Sequence, residues 1–574
     1  MNKSQLIRFL IATVIAIAVL FVDYEALGVS GENTLNPLEI RVIAIFVMAA
    51  LYWILQPFPI WTTSVLVITL MIVTLSDSSL LPFRVGDVKP MSHKSIMATF
   101  ANPIIMLFLG GFFLAAAATK FRLDLNLARV LLKPFGKNPK YVLLGLMMIT
   151  AIFSMFMSNT ATAAMMLAIL APVLGLFDEN DKGRAAFALA IPLGANIGGM
   201  GTPIGTPPNA IALGALQEHG YSITFANWMM FGIPYVIILI LFAWCLLLKL
   251  FPISKKELIL DIPGADHFDR SPKAIIVYIT FIVTILLWVT GKNVHGINDN
   301  SIAMIPITVF ALSGVITKKD LNSMSWDVLW LVAGGFALGL GLQDTGLAKH
   351  LIGSIPFQEW SPLALMVGVG LICLFMANFM SHTATATLLV PIMIVVGVNI
   401  ADNLVPLGGV TALLVAVAFA SSLGMSLPIS TPPNALAYST GFVHQNGMIK
   451  TGVATGLVGL CLTYVMMILL AKLNFFGDPA PKTAELEAAK VVEVAATEDA
   501  GTFEVSTVIE RPVSFPQDTL DSLGSRFLEV AATEDAGTFE VSTVIERPVS
   551  LPKDTLDSLG SRFLEVAVVV PEMK

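Results

Sequence analysis

The tripeptide Ser158-Asn159-Thr160 interrupts an apolar window, 141–176, that contains no Asp, Glu, Lys or Arg. Where one helix ends and another begins, the free carbonyls of the first suit a sodium ion, and the free N–H groups of the second suit an anion. The serine and asparagine oxygens add ligands for a hard cation, and Thr160 is predicted to cap the second helix. The tripeptide is therefore a candidate tip of a helical hairpin that binds ions.

A second kind of break is the segment Thr-Pro-Pro-Asn, which begins at Thr206 and again at Thr431. Threonine fits the N-cap of a helix and proline fits its first position, where a missing N–H group costs nothing. Glycine and proline residues upstream rule out a continuous helix. We therefore predict that each span unwinds at mid-depth and restarts at Pro207 and Pro432, with its positive end directed inward.

These motifs recur in the same order, which indicates an internal duplication. Gly-Gly-Phe at 110 recurs at 334, the Met-Ser segment at 157 recurs at 380, and Thr-Pro-Pro-Asn at 206 recurs at 431, with offsets of 224, 223 and 225 residues. A common offset for three motifs is strong evidence of two related halves.

The composition defines the class of protein. The 574 residues are 56% hydrophobic and 13% charged, with a mean hydropathy of +0.81, whereas soluble domains carry about 25% charged residues. A net charge of −7 without a recurring basic stripe excludes a nucleic-acid partner. No nucleophile–base pair or metal cluster is recognisable, so we do not predict an enzyme. The chain reads as an all-α polytopic membrane protein embedded in a lipid bilayer.

Apolar windows give the expected spans, each of which needs about 20 residues. A signal peptide is the alternative for the first window, but no small-x-small cleavage site follows it. Continuous windows lie at 7–25, 38–56, 61–77, 226–251, 273–291, 301–317 and 451–474, and broken ones at 97–119, 141–176, 185–216, 326–343, 362–400 and 408–443.

The distribution of Lys and Arg gives the orientation, with basic loops and the N-terminus in the cytoplasm. Parity then requires 141–176 and 362–400 to be re-entrant hairpins from opposite sides of the membrane. Residues 1–477 form the expected membrane domain, with 35–250 and 273–475 as inverted repeats, the usual design of secondary transporters. The prediction is eleven transmembrane helices and two hairpins in a bacterial inner membrane, with a periplasmic C-terminus.

The C-terminal tail, 478–574, differs in composition and carries a net charge of −11. It contains two 36-residue repeats, 494–529 and 530–565, that differ at two positions. Two copies bury little surface, so we predict a flexible or weakly ordered tail, with partner binding as the alternative.

The absence of charge supports sodium coupling on physical grounds. The windows 141–176, 185–217, 360–401 and 403–449 contain no Asp, Glu, Lys or Arg. Proton-coupled carriers usually place a carboxylate in such helices, and a buried dianion here finds no fixed cationic side chain. Helix dipoles, amide N–H groups and bound cations must compensate its charge, so Na⁺ is the expected coupling ion.

The paired Ser-Asn-Thr type tips and paired Thr-Pro-Pro-Asn breaks resemble the divalent anion/sodium symporter family of di- and tricarboxylate transporters, over roughly residues 35–475. The resemblance implies a homodimer in which a transport domain moves like an elevator against a scaffold domain. It also implies a small dianionic substrate held between the tips and flanked by sodium ions.

Matching motif positions imply the site residues. The first sodium site would use Ser154, Ser158, Asn159 and the carbonyl group of Gly205. The implied anion site consists of Ser158, Asn159, Thr160, Thr206, Pro207, Ser381, His382, Thr383, Thr431 and Pro432.

The second sodium site would comprise Ala377, His382 and Ser430, but it departs from the family pattern. The family's asparagine is His382, and the residue four before Ser381, often threonine in the family, is Ala377, so two oxygen ligands are lost. His382 could coordinate a cation weakly, donate a hydrogen bond to a carboxylate when neutral, or carry a proton that replaces the cation's charge. A histidine satisfied within the protein is the alternative.

The expected function is sodium-driven import of a C4-dicarboxylate such as succinate, malate or fumarate. One alternative is a dicarboxylate exchanger in which His382 replaces a sodium site. The other is a symporter of sulfate or citrate.

Overall fold

The computed structural model describes residues 3–22, 34–86, 88–175, 177, 181–258, 268–348, 350 and 360–476. The acidic tail and its two repeats lie outside these residues. Regular structure in the described ranges is helical, apart from an isolated bridge between Ser76 and Met91. The prediction of an all-α chain is confirmed for this part of the protein.

The described residues up to Glu218 form ten α-helices. They are α1 (Lys3–Val19), α2 (Pro37–Leu55), α3 (Ile60–Leu75), α4 (His93–Ala98), α5 (Pro103–Lys120), α6 (Leu123–Leu132), α7 (Pro139–Ser154), α8 (Asn159–Leu174), α9 (Gly183–Gly198) and α10 (Pro207–Glu218).

The remaining described α-helices follow in two runs, and short 3₁₀ turns lie at Leu81–Phe83, Thr99–Ala101, Lys133–Phe135, Gly199–Gly201 and Val405–Leu407. The first run is α11 (Phe225–Leu250), α12 (Pro272–Thr290), α13 (Lys292–His295), α14 (Asp299–Ile302), α15 (Met304–Leu312), α16 (Lys318–Asn322) and α17 (Trp326–Asp344). The second is α18 (Pro362–Phe379), α19 (His382–Asn399), α20 (Ala401–Leu404), α21 (Gly409–Ser422), α22 (Pro432–Ser439) and α23 (Gln445–Lys472).

Many of these helices are apolar enough to cross a bilayer. In the described chain, eight have the required length and composition, or nine if the bent pair Ala401–Leu407 and Gly409–Ser422 forms one span. Each predicted apolar window overlaps a helix. The prediction of a polytopic membrane protein is confirmed, and the count of eleven spans stays a prediction.

The helices pack as two bundles. In the first bundle α17 packs on α3, α2 lies between α1 and α3, and α5 packs on α15. In the second, α7 packs on α9, α19 packs on α10 and α21, and α11 packs on α23. The bundles meet mainly where α17 contacts α19 and α10.

Both Thr-Pro-Pro-Asn segments start a helix after an unwound stretch. Backbone at Thr206 is extended and α10 begins at Pro207, as predicted. The same conformation at Thr431 precedes α22, and there the threonine side chain accepts a hydrogen bond from the Asn434 N–H group. Proline at the first helical position needs no hydrogen bond, so the chain can restart there without cost.

The two tips join helix pairs through short turns. Ser158 caps α8, because its Oγ accepts the Ala161 N–H at 3.2 Å, and Ser381 caps α19 through the Ala384 N–H at 3.1 Å. The prediction that Thr160 caps the second helix is therefore wrong. The serine two residues earlier already has the extended backbone of an N-cap, whereas Thr160 lies within the first turn of α8.

The repeated Gly-Gly-Phe motif lies between the bundles. A Cβ on Gly111 of α5 would lie 3.2 Å from Ile204 Cδ1, in the unwound stretch before α10. A Cβ on Gly335 of α17 would lie 2.7 Å from Thr387 Cγ2 in α19. The second glycine of each pair thus allows close approach of the two bundles.

Candidate functional site

A cavity of about 570 Å³ lies where the two tips and the two helix restarts converge. The turns before α8 and α19 reach it from the tips, and the N-termini of α10 and α22 reach it from the breaks. All ten residues predicted for the anion site line it: Ser158, Asn159, Thr160, Thr206, Pro207, Ser381, His382, Thr383, Thr431 and Pro432.

The electrostatics of the cavity favour an anion that binds together with cations. Among the described residues that line the cavity there is no lysine or arginine, and Asp327 of α17 is the one charged side chain. Four helix N-termini face it. Two of them, α8 and α19, begin with residues whose N–H groups can attract an anion, whereas α10 and α22 each begin with two prolines, which have no N–H group, and contribute only their helix dipoles. The capping hydroxyls of Ser158 and Ser381 accept backbone N–H groups, so their own hydrogens are available to donate to a carboxylate.

Beside the first tip, three oxygens crowd together. Ser154 Oγ lies 2.7 Å from Asn159 Oδ1 and 2.7 Å from the Ala195 carbonyl oxygen, and Ser154 is fully buried. A hydroxyl group has one hydrogen, so it can donate to only one of these two acceptors at a time. The contact between the hydroxyl oxygen and the second acceptor then has no hydrogen between the two oxygens, which repel each other. A cation bound among the three oxygens would remove this repulsion.

Two glycines bring further backbone oxygens to the same place. A Cβ on Gly199 would lie 2.6 Å from Asn159 Oδ1 and 3.0 Å from the Gly205 carbonyl oxygen. The unwound stretch between α9 and α10 therefore passes directly beside the asparagine. Ser154, Asn159 and Gly205, three of the residues predicted for the first sodium site, are close together, and a set of oxygens alone fits a hard cation such as Na⁺. Ser158 contributes the cap next to them.

At the second tip, the position that corresponds to this oxygen set is occupied by a histidine ring. The buried His382 ring donates its Nε2–H to the Gly424 carbonyl oxygen at 2.7 Å, since a carbonyl can only accept. Ser430 Oγ donates to the Asn378 carbonyl at 2.8 Å and accepts the N–H of Leu427. Ala377 has no side-chain oxygen, and the side-chain polar atoms of His382 and Ser430 at the predicted second sodium site already bind protein groups.

The asparagine of each Thr-Pro-Pro-Asn segment has a role that the sequence analysis missed. Asn209 Nδ2 donates to the carbonyl oxygens of Gly199 at 3.1 Å and Thr202 at 2.8 Å. The Thr202 hydroxyl in turn donates to the Met155 carbonyl at the first tip. Unwound backbone at membrane depth needs such partners, and the invariant place of asparagine after the proline pair was the available signal.

Asn434 does the same in the second half. Its Nδ2 donates to the carbonyl oxygens of Met425 at 2.8 Å and Leu427 at 3.0 Å. Its Oδ1 accepts a hydrogen bond of 3.2 Å from Nδ2 of Asn196, a cavity-lining residue of α9. The restart helix α22 is thereby tied to the first half of the chain.

Known proteins that are similar to this chain are transporters. The family model described as Citrate transporter matches residues 50–408. The chain is 30% identical over 475 residues to the Sodium-dependent dicarboxylate transporter SdcS of Staphylococcus saprophyticus, covering 76% of this chain and 87% of that protein. It is 33% identical over 456 residues to an uncharacterized transporter of Haemophilus influenzae, covering 75% and 90%.

One solved structure, the Alcanivorax borkumensis YdaH transporter, aligns with 75% of this chain and 98% of its own at 14% identity and a TM-score of 0.46. That likeness is too distant to bear on helix placement or on the site.

Proposed function

The chain belongs to the citrate transporter family, as a di- and tricarboxylate transporter of the divalent anion/sodium symporter type, and on this premise we propose that it imports C4-dicarboxylates with sodium. The proposed substrates are succinate, malate and fumarate. Relatives whose names state sodium-dependent dicarboxylate transport support both the ion and the substrate class.

One observation carries the proposal. A cavity with no lysine or arginine among its lining residues lies next to a crowded set of oxygens at Ser154, Asn159 and Ala195. A dianion in this cavity needs positive charge that the lining side chains do not provide, and the oxygen set offers a place for it. Binding of cation and anion would therefore be mutually dependent, which is the thermodynamic basis of symport.

The proposal includes an elevator-type movement between inverted repeats. Equivalent tips, restarts and clasping asparagines at Asn209 and Asn434 support the assignment of 35–250 and 273–475 as repeats. The second bundle, which contains both tips and both breaks, would move as the transport domain against the first bundle as scaffold. In line with the resemblance, the assembly would be a homodimer in the inner membrane, with a cytoplasmic N-terminus and a periplasmic tail.

Dicarboxylate exchange is the second candidate, and the contact between His382 and Gly424 favours it. The imidazole occupies a carbonyl oxygen that a second sodium ion would need. A carrier with one cation site and a histidine at the other tip could return with a second dicarboxylate bound. Outward transport of that dicarboxylate, and not an inward sodium gradient, would then drive uptake.

Transport by the full-length chain in proteoliposomes tests both candidates. Labelled succinate should accumulate with an inward sodium gradient and not with choline, and unlabelled malate, fumarate, citrate and sulfate should be compared as competitors. Uptake that persists without sodium but requires internal dicarboxylate would favour exchange. Competition by sulfate or citrate but not by C4-dicarboxylates would contradict the proposed substrate class.

A further inference from the structure

Asn196 is a buried amide in α9 that the proposed transport mechanism has not used. The residue is 1% exposed, and it lines the cavity together with both tips. Its Nδ2 lies 3.2 Å from Thr431 Oγ1 and 3.2 Å from Asn434 Oδ1. Its Oδ1 is one of the few buried side-chain polar atoms in the described residues that have no hydrogen-bond partner.

The orientation of this amide follows from its neighbours. Asn434 Nδ2 is committed to two carbonyl oxygens, so Asn434 must present its Oδ1 to Asn196. Asn196 must then present Nδ2 in return, because two acceptor oxygens would repel each other. Its own Oδ1 is therefore the end without a partner, and exchanging the two ends of the amide would break the contact with Asn434.

The first oxygen cluster does not supply that partner. Gly194 and Gly198 form the face of α9 that contacts α7, where Cβ atoms would lie 2.9 Å from the Met147 carbonyl oxygen and 2.4 Å from Ala151 Cα. Asn196 is two residues from each glycine, and two residues correspond to about 200° around a helix. Its side chain thus leaves the opposite face, away from α7 and toward α22 and the cavity.

A buried acceptor without a donor is costly, and ionised carboxylates cannot relieve it because they only accept hydrogen bonds. Succinate and fumarate dianions consequently offer nothing to Asn196 Oδ1. A hydroxyl group on the carbon chain is the donor that a small dicarboxylate can bring.

We propose that Asn196 is a specificity-determining residue whose Oδ1 accepts a hydrogen bond from the hydroxyl group of a 2-hydroxydicarboxylate such as malate. The inference rests on the proposed function, because it assigns the preferred substrate class of the same cavity. A net hydrogen bond of ordinary strength corresponds to about fivefold in affinity. The wild-type protein should therefore bind malate about fivefold more tightly than succinate.

The test measures sodium-dependent binding of malate, succinate and 2-methylsuccinate to the purified full-length protein, alongside competition for uptake of labelled succinate. Methylsuccinate adds bulk at the same carbon without a donor, so it should bind no better than succinate. Asn196→Leu should remove the malate preference, so that the ratio of malate affinity to succinate affinity within the variant falls to about one. The wild-type ligand series decides the question even if that variant folds poorly.

Thr162→Val is the matched control. Thr162 is a fully buried residue of α8 whose hydroxyl oxygen also lacks a partner, but it does not line the cavity. This variant should keep the wild-type ratio of malate to succinate affinity.

The outcomes separate this inference from the proposed function. If wild type binds malate no better than methylsuccinate, or if Asn196→Leu keeps the preference, the inference is wrong and dicarboxylate transport stands. If Asn196→Leu changes the sodium requirement but keeps the wild-type ratio of malate affinity to succinate affinity, the inference is also wrong, because Asn196 would then be a cation ligand. Failure of wild type to bind any dicarboxylate with sodium would overturn the proposed function and this inference together.

Discussion

Gly335 of α17 and Thr387 of α19 form one of the tightest contacts between the two bundles. A Cβ on the glycine would lie 2.7 Å from Thr387 Cγ2, a distance at which the threonine side chain or one of the helices must shift. Protein interiors tolerate such overpacking poorly, at a cost of about 1–3 kcal/mol. The absence of a side chain at 335 therefore sets how closely the two bundles approach, and it would do so during the proposed elevator-type movement as well.

Gly335→Ala is expected to slow transport more than it weakens binding. The added methyl group obstructs passage between the bundles but does not touch the cavity, from whose lining Gly335 is absent. A cost of 1.4 kcal/mol in the movement corresponds to about a tenfold loss of rate. Labelled-succinate uptake and sodium-dependent substrate binding should be measured on the same preparation.

Gly339→Ala is the matched control for this prediction. Gly339 lies one turn further along α17, and its Cβ would meet only Pro391 Cβ of α19, at 3.9 Å. Uptake by this variant should stay close to that of wild type. Equal rates in the two variants would contradict a special role for the contact between Gly335 and Thr387.

Asn159→Ala is expected to abolish sodium-dependent uptake. The variant loses an oxygen from the crowded cluster at Ser154 and one of the polar groups that line the cavity. Hydrogen bonds and ligands to charged groups contribute about 1.5–3 kcal/mol each, so the thermal stabilisation by sodium should also disappear. Asn322→Ala, at an exposed position in α16, should behave like wild type. Unchanged sodium dependence in Asn159→Ala would mean that the cation binds elsewhere.

His382→Asn is expected to keep transport and to increase or steepen its dependence on sodium. Removing the imidazole releases the Gly424 carbonyl oxygen and introduces an amide oxygen at the tip. Adding Ala377→Ser should strengthen the effect, since the second tip would then carry the same residue pair as Ser154 and Asn159. Uptake against sodium concentration gives the Hill coefficient.

His444→Asn, an exchange at an exposed histidine that precedes α23, is the control for this substitution. Its sodium dependence should match that of wild type. If His382→Asn behaves in the same way, His382 is only a satisfied polar residue.

Asp327→Asn is expected to lower the KM for dicarboxylates. The carboxylate lines the cavity and repels a dianion, so its neutralisation should favour substrate by about twofold to fivefold at low ionic strength. The gain should shrink at high salt, because exposed charges are screened. Asp344→Asn changes the same charge at the other end of α17, outside the cavity lining, and should leave KM unchanged. A KM that rises in Asp327→Asn would instead indicate that the acid recruits sodium.

The helix restarts could be predicted because local rules determine them, whereas the residues that line the cavity were predicted from the resemblance to the family. Proline is favoured at the first position of a helix, and a threonine cap before it with glycines upstream marks the helix starts at Pro207 and Pro432 without tertiary information. The cap of α8 could not be chosen in the same way. Ser158, Asn159 and Thr160 are all good capping residues, and only the backbone conformation at Ser158 decides among them.

The role of Asn196 depends on a partner 238 residues away, and no spacing in the sequence signals it. The duplication predicts two equivalent halves, but it does not predict which side chains cross between them. Likewise, the sequence shows that His382 departs from the family pattern. Its hydrogen bond to the Gly424 carbonyl oxygen could not be predicted, because it depends on how the tip packs in the folded protein.

Asn209 and Asn434 have a consequence for the energetics of crossing the bilayer. Each binds carbonyl oxygens of the unwound stretch that leads into its own helix. These peptide groups keep their partners at any depth, because no lipid or water molecule supplies them. In the proposed elevator-type movement, the four carbonyl groups that the two asparagines bind would therefore add no desolvation penalty, whether the carrier crosses loaded or returns empty.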